Sequence, residues 1–71
     1  MSKKVALVGS AYTCQTYILD HQSDGNQYYY VSRLDAYAGL RVDKVLAIGL
    51  LTEAQWELYH IIEREVVASH G

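Results

Sequence analysis

Lys4-Val5-Ala6-Leu7-Val8-Gly9 returns further along the chain as Lys44-Val45-Leu46-Ala47-Ile48-Gly49. Each stretch is a basic residue, four apolar residues and a glycine. A short apolar run with no polar alternation has no face to give to water, which is the pattern of a strand covered on both sides, as in a parallel sheet. Two such runs in one short chain predict two central strands and an α/β fold.

The residues between them supply the connections. Ser10 follows the first run and is placed to cap a helix. Beyond it Ala11, Cys14, Ile18 and His21, with Tyr17 beside them, fall on one helical face, while Thr13, Gln15, Thr16 and Asp20 fall largely off it. The turn cluster Ser23-Asp24-Gly25-Asn26 ends this helix near Gln22. Gln27-Tyr28-Tyr29-Tyr30-Val31-Ser32 is rich in strand formers and completes a βαβ unit. Leu34 to Ala38 reads as one helical turn closed by Gly39, and Asp43 leads into the third strand. Thr52 with Gln55 forms a capping box ahead of a long helix from Glu53 to about Ser69. Right-handed crossovers then place the first helix on one face and the second connection across the other, with strand order 2-1-3. The expected architecture is a three-stranded parallel sheet with two main helices, half of a doubly wound fold, as a single α/β domain over residues 1–71.

Size and composition bound what such a domain does. For 71 residues and 8.0 kDa, chain-length scaling gives roughly 4,400 Å² of folded surface against about 11,600 Å² for the extended chain, so about 60% is buried. Apolar residues make up 51% and charged residues 20% of the chain, which excludes a disordered tail. Six basic residues against eight acidic ones leave no general attraction for nucleic acid, which is not an expected partner. Cys14 is the sole cysteine, and with His21, His60 and His70 it makes no zinc set. No metal and no cofactor is expected. The Lys3-Lys4 start is followed by an apolar run too short for a secretion signal, and Val45 to Leu51 is too short to cross a bilayer. The expected setting is cytoplasmic, with no membrane partner.

The strand ending in Val8-Gly9, the strand at Tyr30-Val31-Ser32, the step Gly39-Leu40-Arg41 and the strand ending in Ile48-Gly49 together resemble small uncharacterised Rossmann-like α/β proteins of actinobacterial phages. The resemblance covers most of the chain through short motifs, and the triple tyrosine departs from it. It implies a compact α/β fold, a phage-like source and hence a host cytoplasm, and it supplies no reaction and no catalytic residue.

Gly9-Ser10-Ala11 lies where nucleotide-binding α/β proteins hold phosphate. Ala11 and Cys14 stand where a Gly-x-Gly-x-x-Gly loop needs glycine, and the Lys-Ser/Thr pair of a P-loop is missing, which favours a capped strand-to-helix turn. Cys14 and His21 are two helical turns apart, too far for the thiol to be activated, so Cys14 reads as a small core residue. The acidic residues form no acid/base pair, and no catalytic group is expected. Ligands of parallel sheets collect beyond the carboxyl ends of the strands, which makes Gly9, Ser10, Ser32, Arg33 and Thr52 the candidate ligand-binding residues for a small anion or nucleotide. Arg33 is equally an ordinary charge paired with Asp35.

Every aromatic ring in the chain belongs to seven Tyr and one Trp, so each carries a polar atom. The aliphatic strands are expected to supply the core, leaving these rings largely surplus to it. Tyr28 and Tyr30 share one face of an edge strand and Tyr29 takes the other, with no Pro or Lys to block pairing. The long helix carries Ala54, Leu58, Ile61, Ile62, Glu65 and Val66 near one line and Trp56, Tyr59, Glu63 and Val67 near another, a wider apolar arc than a three-stranded sheet requires. Tyr28, Tyr29, Tyr30, Trp56, Tyr59 and Val67 are therefore the candidate interface residues, the alternative being that these rings cover the core. The function expected is a small non-enzymatic interaction protein, a homodimer that binds a host or phage protein. The alternative is a small-ligand or nucleotide-binding module at Gly9-Ser10 and Arg33.

Overall fold

A computed structural model describes residues 3–33, 35 and 41–70. Its elements are β1 (Lys4–Gly9), α1 (Ala11–Asp20), a 3-10 turn (Gln22–Asp24), β2 (Gln27–Tyr30), β3 (Lys44–Ile48) and α2 (Glu53–His70). The helical turn expected over Leu34 to Ala38, with Gly39 closing it, lies outside the described residues except for Asp35. Both β2 and β3 run parallel to β1 in the order β2-β1-β3, as the sequence predicts.

The register fixes which side chains share a face. Val5 is level with Tyr28 and Lys44, Ala6 with Tyr29 and Val45, and Leu7 with Tyr30 and Leu46. Because side chains alternate along a strand, the odd residues of β1 meet α1 and the even ones meet α2. Val5 and Leu7 accordingly pack with Cys14 of α1, and Ala6 and Val8 pack with Leu58 and Ile62 of α2. Val31 and Val42, which bracket the β2-to-β3 connection, join the α2-side cluster. Leu7, Val8 and Ile62 are fully buried, each worth about 1.5–3 kcal/mol of transfer free energy.

The two layers differ in chemistry. On the α2 side the half-buried surround is Leu51, Tyr59 and Val66, whereas on the α1 side Tyr17, Tyr28 and Tyr30 join Ile18, Leu46 and Ile48 around the three buried residues. Tyr28 and Tyr30 thus complete a layer instead of standing clear of the core. Tyr29, on the opposite face, belongs to neither cluster.

Local chemistry sets the ends of the helices. Ser10 Oγ accepts the Thr13 N–H at 3.2 Å, and at the start of α2 the Thr52 and Gln55 side chains each accept the other's backbone N–H, at 3.2 and 2.8 Å. α1 stops at Asp20, slightly before the expected point, because the His21 N–H is shared between the Tyr17 and Ile18 carbonyls and the chain tightens into the 3-10 turn. At the amino ends of the strands, Asn26 Oδ1 accepts the Lys3 N–H and Asp43 Oδ2 accepts the Lys4 N–H, tying β1 to the residues that lead into both neighbours.

Candidate functional site

At the carboxyl end of the sheet, β1 turns towards α1 on one face and β3 towards α2 on the other. In open α/β sheets a crevice forms between strands that diverge in this way. At two positions there the chain passes close to its own atoms. A Cβ on Gly9 would run into the Ile48 carbonyl oxygen and stand 3.5 Å from Cys14 Sγ, and a Cβ on Gly49 would stand 3.2 Å from Thr13 Cγ2. The polar groups nearby are also engaged. Ser10 Oγ–H donates to Thr13 Oγ1 at 2.7 Å while accepting the Thr13 N–H, and Thr52 is held in its capping box.

The candidate ligand residues divide among several places. Gly9 and Ser10 close the turn from β1, and Thr52 caps α2. Ser32 lines an open groove of about 220 Å³ with Ala54, Gln55, Glu57, Leu58 and Ile61. Arg33 points into solvent, its Nε 3.5 Å from Asp35 Oδ1. The described lining of the groove includes Ser32 but not Ser10, Arg33 or Thr52. Among the described residues, no three His, Cys, Asp or Glu side chains gather as a metal site would require. No described helix is long and apolar enough to cross a membrane.

Cys14 is fully buried against Val5 and Leu7, and burial pushes its thiol pKa up. A thiol held in that state is a poor nucleophile. His21 lies on Tyr17, with ring centroids 3.8 Å apart, and its Nδ1 is 2.8 Å from the Tyr17 carbonyl oxygen. Tyr28 meets Tyr17 edge-on at 5.6 Å and donates its hydroxyl to Asp24 at 2.9 Å. These rings form the rim of the α1 layer. Tyr29 instead donates its hydroxyl to Gln27 Oε1 at 2.8 Å, a contact between neighbours on the same strand face.

The outward side of α2 holds a second group of rings. Trp56 and Tyr59 meet edge-on at 5.6 Å, and the His60 ring lies 5.9 Å from Trp56 and 5.4 Å from Tyr59. Tyr59 is half-buried against the α2-side core and donates its hydroxyl to Glu63 Oε2 at 3.1 Å. Burial first, then that hydrogen bond and the charge of Glu63, raise its phenol pKa. His60 Nδ1 lies 3.7 Å from the other Glu63 oxygen. Trp56 is 42% exposed and Val67 65%.

Sequence reasoning missed other exposed apolar side chains. Ile61 is exposed although it falls on the core line of the helix, because α2 lies over β3 and β1 and leaves that flank facing the groove. Leu50 and Tyr12 are 98% and 81% exposed beside the carboxyl end of the sheet. The position of Leu50 in the turn between Gly49 and Leu51, two residues before the Thr52 cap of α2, was the local signal for it. No protein family, curated protein or solved structure matches this chain.

Proposed function

We propose that this chain is a small non-enzymatic interaction protein that self-associates and binds a protein partner, supplied by a phage or its host. The observation that carries the reading is the ring group on α2. Exposed Trp56 and His60 meet half-buried Tyr59 along a helix whose opposite side, through Leu58 and Ile62, already fills the core. Rings of this kind bury a large area on contact and have few rotamers to freeze. The formal net charge of −2 leaves only weak repulsion between copies. A ligand module at the strand ends draws less support, since Gly9 abuts main chain and the hydroxyls of Ser10 and Thr52 are spent on the helix caps.

The test combines mass and capture. Sedimentation over a wide concentration range is expected to give a mass above 8.0 kDa at the upper end. Affinity capture from the natural host with wild type and with a folded Trp56→Ala variant is expected to differ by specific proteins. A monomer at every concentration together with identical capture profiles would defeat the reading.

A further inference from the structure

Resting on the self-association put forward above, we propose that two copies of the chain pair through α2. The helices lie side by side and antiparallel about a two-fold axis level with the midpoint of His60 and Glu63. Trp56 of one copy then meets Val67 of the other, and His60 meets Glu63.

The sequence of α2 carries such a seam. Trp56, His60, Glu63 and Val67 succeed one another at steps of four, three and four residues, the spacing that keeps a line of side chains against a neighbouring helix. Each is exposed, Trp56 by 42% and Val67 by 65%, and the side chains of His60 and Glu63 by 55% and 46%. With 3.6 residues per turn, the line stands roughly 150° round the helix from Leu58 and Ile62. A second helix laid along it does not displace the sheet. Half-buried Tyr59 and Val66 flank the line on the core side, and antiparallel pairing brings each towards the other in the second copy.

Charge complementarity identifies the second copy as the occupant and fixes the register. Glu57 and Arg64 follow Trp56 and Glu63 on the outer flank, and both are exposed. They are two helical turns apart on one helix, and among the described residues neither is in an ion pair. In the proposed register Glu57 of one copy stands within about 3 Å, along the axis, of the level of Arg64 of the other, and symmetry makes the contact twice. Slipping by one heptad sets Glu57 against Glu57, or Arg64 against Arg64. Parallel pairing sets Glu63 against Glu63. The polar pair of His60 and Glu63 at the middle of the seam selects alignment at a cost in strength. A seam this short lies at the small end of interface sizes, below about 1,200 Å², so the dimer forms at high protein concentration.

The test exchanges the charges. Glu57→Arg and Arg64→Glu each turn two attractive contacts into two repulsive ones, at exposed positions away from the core. Each variant alone is expected to associate roughly tenfold or more weakly than wild type in sedimentation. An equimolar mixture of the two is expected to recover the wild-type association, because each then offers the charge the other lacks. Association unchanged in both variants overturns the α2 seam and leaves self-association standing, through another surface. Weakening in both with no recovery in the mixture overturns the antiparallel register, and with it the proposal. Monomer mass of wild type at all concentrations overturns seam and self-association together. If either variant fails to fold, nuclear magnetic resonance of wild type decides. The Trp56 indole N–H and the Val67 methyl signals are expected to shift between dilute and concentrated protein, and signals that stay fixed while the mass rises overturn the seam.

Discussion

Replacing Gly9 by alanine tests the close approach at the carboxyl end of the sheet. Gly9 has φ +155°, where a side chain is strained, and its added Cβ would meet the Ile48 carbonyl oxygen. The backbone strain is worth about 1–3 kcal/mol. Pressing a methyl group into main chain that cannot swing aside adds about 1–3 kcal/mol. The sum, near 4 kcal/mol, is a large part of the roughly 4–10 kcal/mol expected for a chain of this length. It corresponds to a fall in Tm of roughly 15–30 °C. Gly25 isolates the first part of the effect, because it has φ +83° and nothing within 4 Å of its added Cβ. Gly25→Ala is expected to lose about 1–2 kcal/mol. Urea unfolding followed by circular dichroism measures both variants against wild type. Equal losses, within the roughly 10–15% error of extrapolation, would refute the claim that β1 and β3 leave no room for a side chain there. Failure of Gly9→Ala alone to fold is the extreme of the expected result.

Further predictions concern individual groups. Cys14 is expected to alkylate far more slowly in native protein than in urea at the same pH, since its thiol is buried and its pKa raised; equal rates would place it outside the core. Ser10→Ala and Thr52→Ala are each expected to cost about 1 kcal/mol and, being on different helices, to add in the double variant, as thermal unfolding will show. Tyr59 has a folded pKa raised above its unfolded value by burial and by Glu63. Its contribution to stability is therefore complete below about pH 10 and is lost as pH rises through the folded value. The urea midpoint of wild type is expected to fall more steeply over that alkaline range than that of Tyr59→Phe.

What was legible in the sequence was what neighbouring residues decide. The apolar runs at Val5 and Val45 marked the strands, and Ser10 and Thr52 with Gln55 marked the helix starts, because a cap is made within four residues. The order β2-β1-β3 followed from the handedness of crossovers. The misses depend on distances between elements. Ala11 shares a helical face with Cys14 yet is exposed, and Ile61 shares one with Leu58 yet faces the groove. Periodicity gives the face of a helix but not how far the sheet reaches beneath it. The same limit applies to the tyrosines. Alternation separated Tyr29 from Tyr28 and Tyr30, but it took the packing of α1 on that face, through Cys14, to make the latter two part of a layer. The candidate ligand residues sit at strand ends as expected, and the close approach of Gly9 to the Ile48 carbonyl there is one for which no residue pattern is a signal.

The central position of β1 also governs how the sheet can be assembled. β1 comes first in chain order, yet both of its neighbours come later, and the side-chain clasps at its start reach Asn26 and Asp43 across 23 and 39 residues. A chain that stops short of β3 has no second edge for β1, and one that stops short of Leu58 and Ile62 leaves Ala6 and Val8 bare. Among the described strands there is no hairpin, and Val5 to Val8, which carry no charge, gain their first strand partner only at Gln27–Tyr30 and their second only at Lys44–Ile48. Shortened products are therefore expected to be sticky substrates for proteases, and the intact chain to fold in a single cooperative step that closes only when α2 docks.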